Sequence, residues 1–212
     1  RGKGVDENIL SNFIQYNLPR PELIRSDNSL YHRHFRTHRP LFDAIVTDPP
    51  YGIRAGARQC GVRDGASTPI KEVPDHHRDD HIARTKPYAV SDVMADLLDV
   101  AARTLVMRGR LVYIVPAMRD FDPVVDLPRN ECLRLVHCCY QPLQMNLGRR
   151  MVVMEKVKEY CEIGDREEYL KSVWVNGPES ADKVANIREK LLEAAKLKPG
   201  YEEKAAIRKM KR

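Results

Sequence analysis

Four consecutive residues, Asp48-Pro49-Pro50-Tyr51, bring together an anion, two fixed backbone angles and an aromatic face. They follow Phe42-Asp43-Ala44-Ile45-Val46-Thr47, a nearly continuous apolar run that predicts a strand buried on both faces. Ligands of open α/β sheets bind beyond the carboxyl ends of the strands, so the group stands where chemistry is expected. Each proline fixes its own φ and disfavours helical backbone in the residue before it, which holds Asp48 and Pro49 extended. Neither proline carries an N–H, and the carbonyls there can face a ligand without a competing local donor. The target that fits is a flat heterocycle with an exocyclic amine: Asp48 and the Pro49 carbonyl accept its two hydrogens while Tyr51 stacks on the ring. Such an amine is a poor nucleophile because its lone pair is delocalised into the ring. Two acceptors outside the ring plane turn that pair toward an electrophile and stabilise the developing positive charge. An electrophilic methyl held in line completes the reaction through positioning, and Asp48 receives or relays the proton. Base-aromatic stacking is worth roughly 1–3 kcal/mol, which helps to hold a base flipped from its stack. The plain alternative is that Pro-Pro merely ends a strand and Asp48 caps a turn. Asp before the pair, Tyr-Gly after it and the strand leading in together favour the chemical reading.

The elements that must position this group can be followed along the chain. Ile9, Leu10, Phe13 and Ile14 share one helical face, with Asp6 and Glu7 at its start and Pro19 at its end. Glu22-Leu23-Ile24-Arg25-Ser26 is a short strand candidate that runs into the turn pair Asp27-Asn28. After the DPPY group, residues 53 to 87 show no sustained period, and connections of that length are usually functional or disordered. Ser91 is placed to cap an amphipathic helix built on Val93, Met94, Leu97, Leu98, Ala101 and Leu105, which Gly109 stops. Leu111 to Val115 predict a second buried strand ended by Pro116. Two more, around Leu133 to Tyr140 and Met151 to Val157, predict an antiparallel hairpin. The order of elements predicts an α/β sheet, mostly parallel with an antiparallel end. There is no internal repeat.

Composition narrows the classes. The chain has 212 residues with 36 Lys+Arg against 30 Asp+Glu, and at 42% hydrophobic it can bury a core. No apolar stretch is long enough to span a bilayer and RGKGVDENIL lacks the apolar core of a secretory signal, so no membrane partner is expected and a soluble, intracellular protein is. Cys60, Cys132, Cys138, Cys139 and Cys161 show no paired CxxC spacing, which argues against a disulfide framework or a self-contained zinc site. The net charge of +6 lies in residues 183 to 212, which hold ten basic and four acidic residues. That segment has helical apolar spacing interrupted at Pro199-Gly200. A solvated amphipathic helix is its plain reading, and contact with nucleic acid the sharper one.

At this point the sequence resembles a family. Phe42 to Arg54, FDAIVTDPPYGIR, is similar to the catalytic segment of amino-directed S-adenosylmethionine-dependent methyltransferases. With YGIR after DPP it resembles in particular the catalytic subunits of tRNA guanosine-10 N2-methyltransferases. RGKGVDENILSNFIQYNL, the RSDNS turn, SDVMADLLDVAARTLVMRGRLVYIVP and RRMVVMEKVKEY follow in that family's order, which carries the resemblance over roughly residues 1 to 160. The resemblance implies a Rossmann-like class I methyltransferase sheet, with residues 1–162 as the C-terminal part of the catalytic domain and 163–212 as a charged, partly helical tail. It implies S-adenosylmethionine as cofactor, tRNA as substrate and the cytoplasm as location. Asp48, Pro49, Pro50 and Tyr51 become the catalytic loop, with Tyr51, Gly52 and Arg54 toward the substrate. Asp27, Asn28 and Asp48 face the cofactor, Asp27 meeting its adenine amine. A small zinc-binding activator subunit is implied as a partner that adds a strand beside Glu22 to Ser26. The family's Gly-rich cofactor loop and ribose-holding acid lie upstream of Arg1, and Gly2-x-Gly4 is not that loop because no buried strand precedes it. The expectation is a sheet lacking its first two strands, with weak cofactor binding and no turnover by this chain alone.

Other constellations carry less. His76, His77 and His81 near Asp75, Asp79 and Asp80 read as a solvated loop rather than a metal site, and no metal is expected. Cys138 and Cys139 read as small core residues, Trp174 as packing against the domain. The His32 to Arg39 connector suits RNA phosphate or solvent equally. Two other functions stay open: a methyltransferase for another planar amine, such as adenine N6 in DNA or RNA or a protein glutamine, and a non-catalytic scaffold that binds RNA or a partner.

Overall fold

The computed structural model describes residues 7–35, 40–50, 56–62, 65, 74–75, 81, 83–143, 147–179, 181 and 196. The basic segment 183–212 and its expected helix fall outside these, apart from Lys196. The first helix, α1 (Ile9–Gln15), starts under a reciprocal cap in which the Asn8 side chain accepts from the Ser11 N–H and the Ser11 hydroxyl side receives the Asn8 N–H. A four-stranded sheet carries the rest: β1 (Phe42–Thr47), β4 (Leu105–Met118), β6 (Leu147–Lys156) and β5 (Leu133–Pro142), in the order β1-β4-β6-β5. β1 runs parallel to β4, while β4 with β6 and β5 with β6 are antiparallel. Both the parallel neighbour and the C-terminal hairpin match the sequence reading. A separate pair, β2 (Arg58–Cys60) and β3 (Thr85–Pro87), lies within the region expected to be structureless.

The helices α2 (Tyr31–His34) and α4 (Pro123–Asp126) are single turns, while the long helix α3 (Val90–Thr104) covers one face of the sheet. Its Met94, Leu98 and Ala101 pack with Leu111 and Tyr113 of β4 and Val152 and Met154 of β6, all nearly inaccessible to solvent. Each Leu, Val or Met among them contributes about 1.5–3 kcal/mol when fully buried. Asp92 in the first turn and Arg103 in the last suit the helix dipole. The start differs from expectation: the cap residue is Ala89, and Ser91 is a buried residue inside the helix. The helix ends at Thr104, whose hydroxyl donates back to the Val100 carbonyl at 2.7 Å. Gly109 therefore does not stop it. The β1–β4 register jumps between Phe42↔Leu105 and Ala44↔Arg110, Arg108 takes a φ of 66°, and a Cβ on Gly109 would lie 2.8 Å from the Val106 oxygen and 3.1 Å from that of Asp43. The glycine lets two backbones cross.

Three further expectations are corrected by packing. β1 is not buried on both faces: Val46 is 78% exposed, because among the described residues β1 is the edge of the sheet and α3 covers only the opposite side. β4 does not end at Pro116 but runs to Met118, and Pro116 lies beyond the last β1 pair, Thr47↔Tyr113, where β4 has a neighbour on one side only. Residues 22–26 form no strand, since no described segment pairs with them, and Leu23 and Ile24 stand exposed. Trp174 packs in the core as expected, together with Val173 and Ala181. Cys138 touches the core from the sheet, but Cys139 is exposed on the other face of β5. At the end of β6, Lys156 is 1% exposed, and its ammonium donates to the Leu105 carbonyl at 2.8 Å, closing the junction between α3 and β4.

Candidate functional site

Asp48, Pro49 and Pro50 leave the carboxyl end of β1 immediately after its last paired residue, Thr47. Pro49 is buried while Asp48 and Pro50 are exposed. The alternation places one ring in the protein as an anchor and leaves the carboxylate to solvent. Among the described residues no side chain bonds the Asp48 carboxylate. Tyr51, Gly52 and Arg54 lie outside the described residues.

Asp27 is fixed by its neighbours. It caps the 3-10 turn Asn28–Leu30, and its Oδ1 accepts from the Ser29 N–H at 2.9 Å and the Ser29 hydroxyl at 2.8 Å. Its Oδ2 accepts the backbone N–H of Cys60 in β2. Partial burial works against the charge, yet the donors from Cys60 and Ser29 outweigh it and hold the carboxyl below its ordinary range. Asn28 opens the turn and is half-buried. Asp27 is thereby joined to the chain a few residues beyond the DPPY group.

The chain returns from that excursion through β3. The Arg58 guanidinium holds Thr85, with Nη2 donating to its carbonyl at 2.6 Å, and the Tyr88 N–H donates to the Ala57 carbonyl at 3.0 Å. Beside this stem runs a cleft of about 610 Å³ between the segment Ser29–His32, α3 and residues 160–166. Three acids of α3 line it, Asp92, Asp96 and Asp99, and the last two are 4% and 2% exposed. The Tyr88 hydroxyl donates to Asp96 and the Tyr31 hydroxyl to Asp99. Arg166, at the start of α5 (Arg166–Val173), meets the other Asp96 oxygen at 2.6 Å. Burial pushes Asp96 up from its ordinary value and Asp99 up to about 6; it also pushes Tyr88 up, with the Asp96 charge adding to the effect.

Sequence reasoning missed Tyr88, Asp96, Asp99 and Arg166. The signal was present in the helix, where Asp92, Asp96, Asp99 and Arg103 recur on the face opposite the apolar one, a pattern that also describes an ordinary solvated face. No group of three or more His, Cys, Asp or Glu among the described residues could hold a metal. His76 and His77 lie outside them, and His81 is exposed. No helix among the described residues is long and apolar enough to cross a membrane.

Comparison with curated proteins gives consistent relatives. The chain is 51% identical over 121 residues to the protein named tRNA (guanine(10)-N(2))-methyltransferase TRMT11 of Dictyostelium discoideum, covering 57% of this chain and 23% of that protein. It is 41% identical over 170 residues to the protein of the same name from Gallus gallus, covering 79% and 35%. With that of Homo sapiens it shares 38% over 166 residues, covering 74% and 34%. The chain thus spans about a third or less of the length of these relatives. No protein-family model matches it.

Proposed function

We propose that this chain, a homologue of the proteins named tRNA (guanine(10)-N(2))-methyltransferase, belongs to an enzyme that methylates the N2 amine of guanosine 10 in tRNA. The observation that carries the reading is Asp48-Pro49-Pro50 at the carboxyl end of a strand parallel to its neighbour, with Pro49 sunk into the protein and Asp48 exposed. Asp48 and the Pro49 carbonyl accept the two hydrogens of the guanine amine, and Tyr51 stacks on the base. The acceptors orient the nitrogen lone pair and stabilise the charge that develops on it, after which Asp48 takes or relays the proton.

S-adenosylmethionine is the cofactor that fits, and it supplies an electrophilic methyl when bound. Asp27, Asn28 and Asp48 would hold it. The donors of Ser29 and Cys60 hold the Asp27 carboxylate ionised and in one place, which suits it to accept from an exocyclic adenine amine. Gly52 and Arg54 complete the substrate side, Gly52 at the exit of the loop and Arg54 toward a phosphate.

The finer fold inferred is a Rossmann-like class I sheet. The exposed edge of β1, with Val46 78% exposed, suits further strands of a longer polypeptide. Residues 1–162 supply the catalytic part and 163–212 a charged tail. A small zinc-binding activator subunit pairs a strand with residues 22–26, a mode favoured by their lack of a partner among the described residues. The enzyme works in the cytoplasm.

The test extends the polypeptide to the length of its relatives, co-expresses the activator and assays unmodified tRNA with labelled S-adenosylmethionine. The expected product is N2-methylguanosine, with the rate lowered about 10²–10⁴-fold in Asp48→Ala. Formation of N6-methyladenosine, or transfer that is indifferent to Asp48→Ala, overturns the reading.

A further inference from the structure

We propose that Arg166, Asp96 and Tyr88 form a positioning unit through which helix α5 fixes the stem of the DPPY excursion. The inference rests on the methyltransferase reading for its functional consequence, but not for its geometry. The excursion leaves β1 at Asp48 and comes back through the β2–β3 pair, and Tyr88 is the first residue past that pair. Its backbone N–H donates to the Ala57 carbonyl, so Tyr88 closes the base of the stem. Its ring is buried, at 8% exposure, and its hydroxyl donates to Asp96 in the middle of α3. The second Asp96 oxygen is taken by Arg166 at 2.6 Å. Arg166 is held in turn: its guanidinium lies 5.9 Å from the Tyr169 ring, and the Tyr169 hydroxyl donates to the Ala95 carbonyl at 3.0 Å.

The polar trio joins the buried Asp96 to a guanidinium whose side chain is 44% exposed, a pairing that contributes little net stability compared with apolar packing. What it contributes is direction. One Asp96 oxygen points to the stem and the other to α5, so the phenol of Tyr88 has a single acceptor in a single place. Without Arg166, Asp96 is a buried acid that must protonate or turn toward solvent, and either response changes the acceptor seen by Tyr88. The other strand of the stem is held independently, by the Cys60 N–H on Asp27. The stem is therefore pinned between the acid placed toward the cofactor and a helix of the C-terminal segment. From Tyr51 to Ala57 there are six residue steps, spanning at most about 20 Å. A shift of the stem is passed to the loop that holds the guanine amine.

Hydrogen exchange in Arg166→Ala and Tyr88→Phe tests the unit directly. Loss of one net hydrogen bond is expected to speed exchange about tenfold at the Gly61 and Tyr88 amides, while β4 and β6 amides keep their wild-type rates. Tyr88→Phe keeps the ring and removes only the hydroxyl, so it reads the contact even where Arg166→Ala loosens α5 more widely. The double variant should resemble Arg166→Ala alone, and Arg166→Lys should recover part of the protection. Unchanged stem exchange in both single variants, or additive effects in the double variant, overturns the proposal. In the extended enzyme Arg166→Ala is expected to lower kcat with KM for tRNA held; a change in KM alone overturns the positioning role. An extended wild-type enzyme that transfers no methyl to guanosine would defeat the methyltransferase reading instead, and the exchange result would still decide the fate of the unit.

Discussion

The hairpin half of the sheet and the DPPY half are held by different forces. Around β4, β6 and α3, Leu98, Leu111, Tyr113 and Val152 are fully buried, and apolar contact does the holding. Among the described residues from 22 to 62 the buried ones are Tyr31, Pro49 and Ala57, and position there is set by carboxylates that accept hydrogen bonds across the chain. The first region resists single changes in polar groups, while the second depends on them. A scaffold can thus remain folded while its site loses its shape.

The largest expected effect breaks this comparison by removing the scaffold itself. Leu98→Ala in α3 should cost about 2–5 kcal/mol, seen as a lower denaturation midpoint by circular dichroism, with both regions lost together. Retention of the site region after the core has melted would show that the two halves are independent. A second test uses Asp99, whose carboxyl is pushed by burial from the usual 3.8 to about 6, with Tyr31, Tyr160, Arg103 and Arg166 as its polar neighbours. Between those values the folded protein keeps a proton that the unfolded chain has released. Stability should therefore fall as pH rises from about 4 to about 6, by at most about 3 kcal/mol, and stay level above. Asp99→Asn should flatten that slope in urea titrations across the window.

Asp27 works in the opposite sense. Its folded carboxyl is held below the ordinary value, so its contribution is present above about pH 4 and is lost on acidification. Asp27→Ala should cost about 1 kcal/mol at neutral pH, with faster exchange at the Cys60 amide and no change in β6. The smallest effect belongs to the far end of the hairpin, where Arg134, its side chain 65% exposed, meets Glu155 at 3.6 Å. Arg134→Ala should change stability by less than about 0.5 kcal/mol in the same titration. A larger loss there would mean that polar contacts also hold the scaffold.

The same contrast explains what was legible in the sequence. The apolar spacing of Val93, Met94, Leu97 and Leu98 and the alternation along β5 and β6 are records of one packed side, and they led to the right elements. The burial of β1 was misread because an apolar run looks alike at the centre of a sheet and at its edge. Glu22 to Ser26 has strand character in its residues, but a strand also needs a partner, and residue types do not report one. The β2–β3 pair was hidden by its length and by Arg58, Gln59 and Lys86, which carry no apolar alternation. The chain's exit from β1 at Asp48 and Pro49 was legible because prolines act through local geometry. Asp96 and Arg166 were not, because they are far apart in sequence and only the docking of α5 brings them together.

Lys156 offers a chemical clock for that scaffold. Its ammonium is sealed between Leu105 and the end of β6, whereas Lys158, two residues on, has an exposed side chain. An amine-acylating reagent should label Lys158 first, at a rate its Glu131 ion pair slows, and reach Lys156 only when the sheet opens. The ratio of the two adducts would record how often the core comes apart under conditions in which the protein is nominally folded.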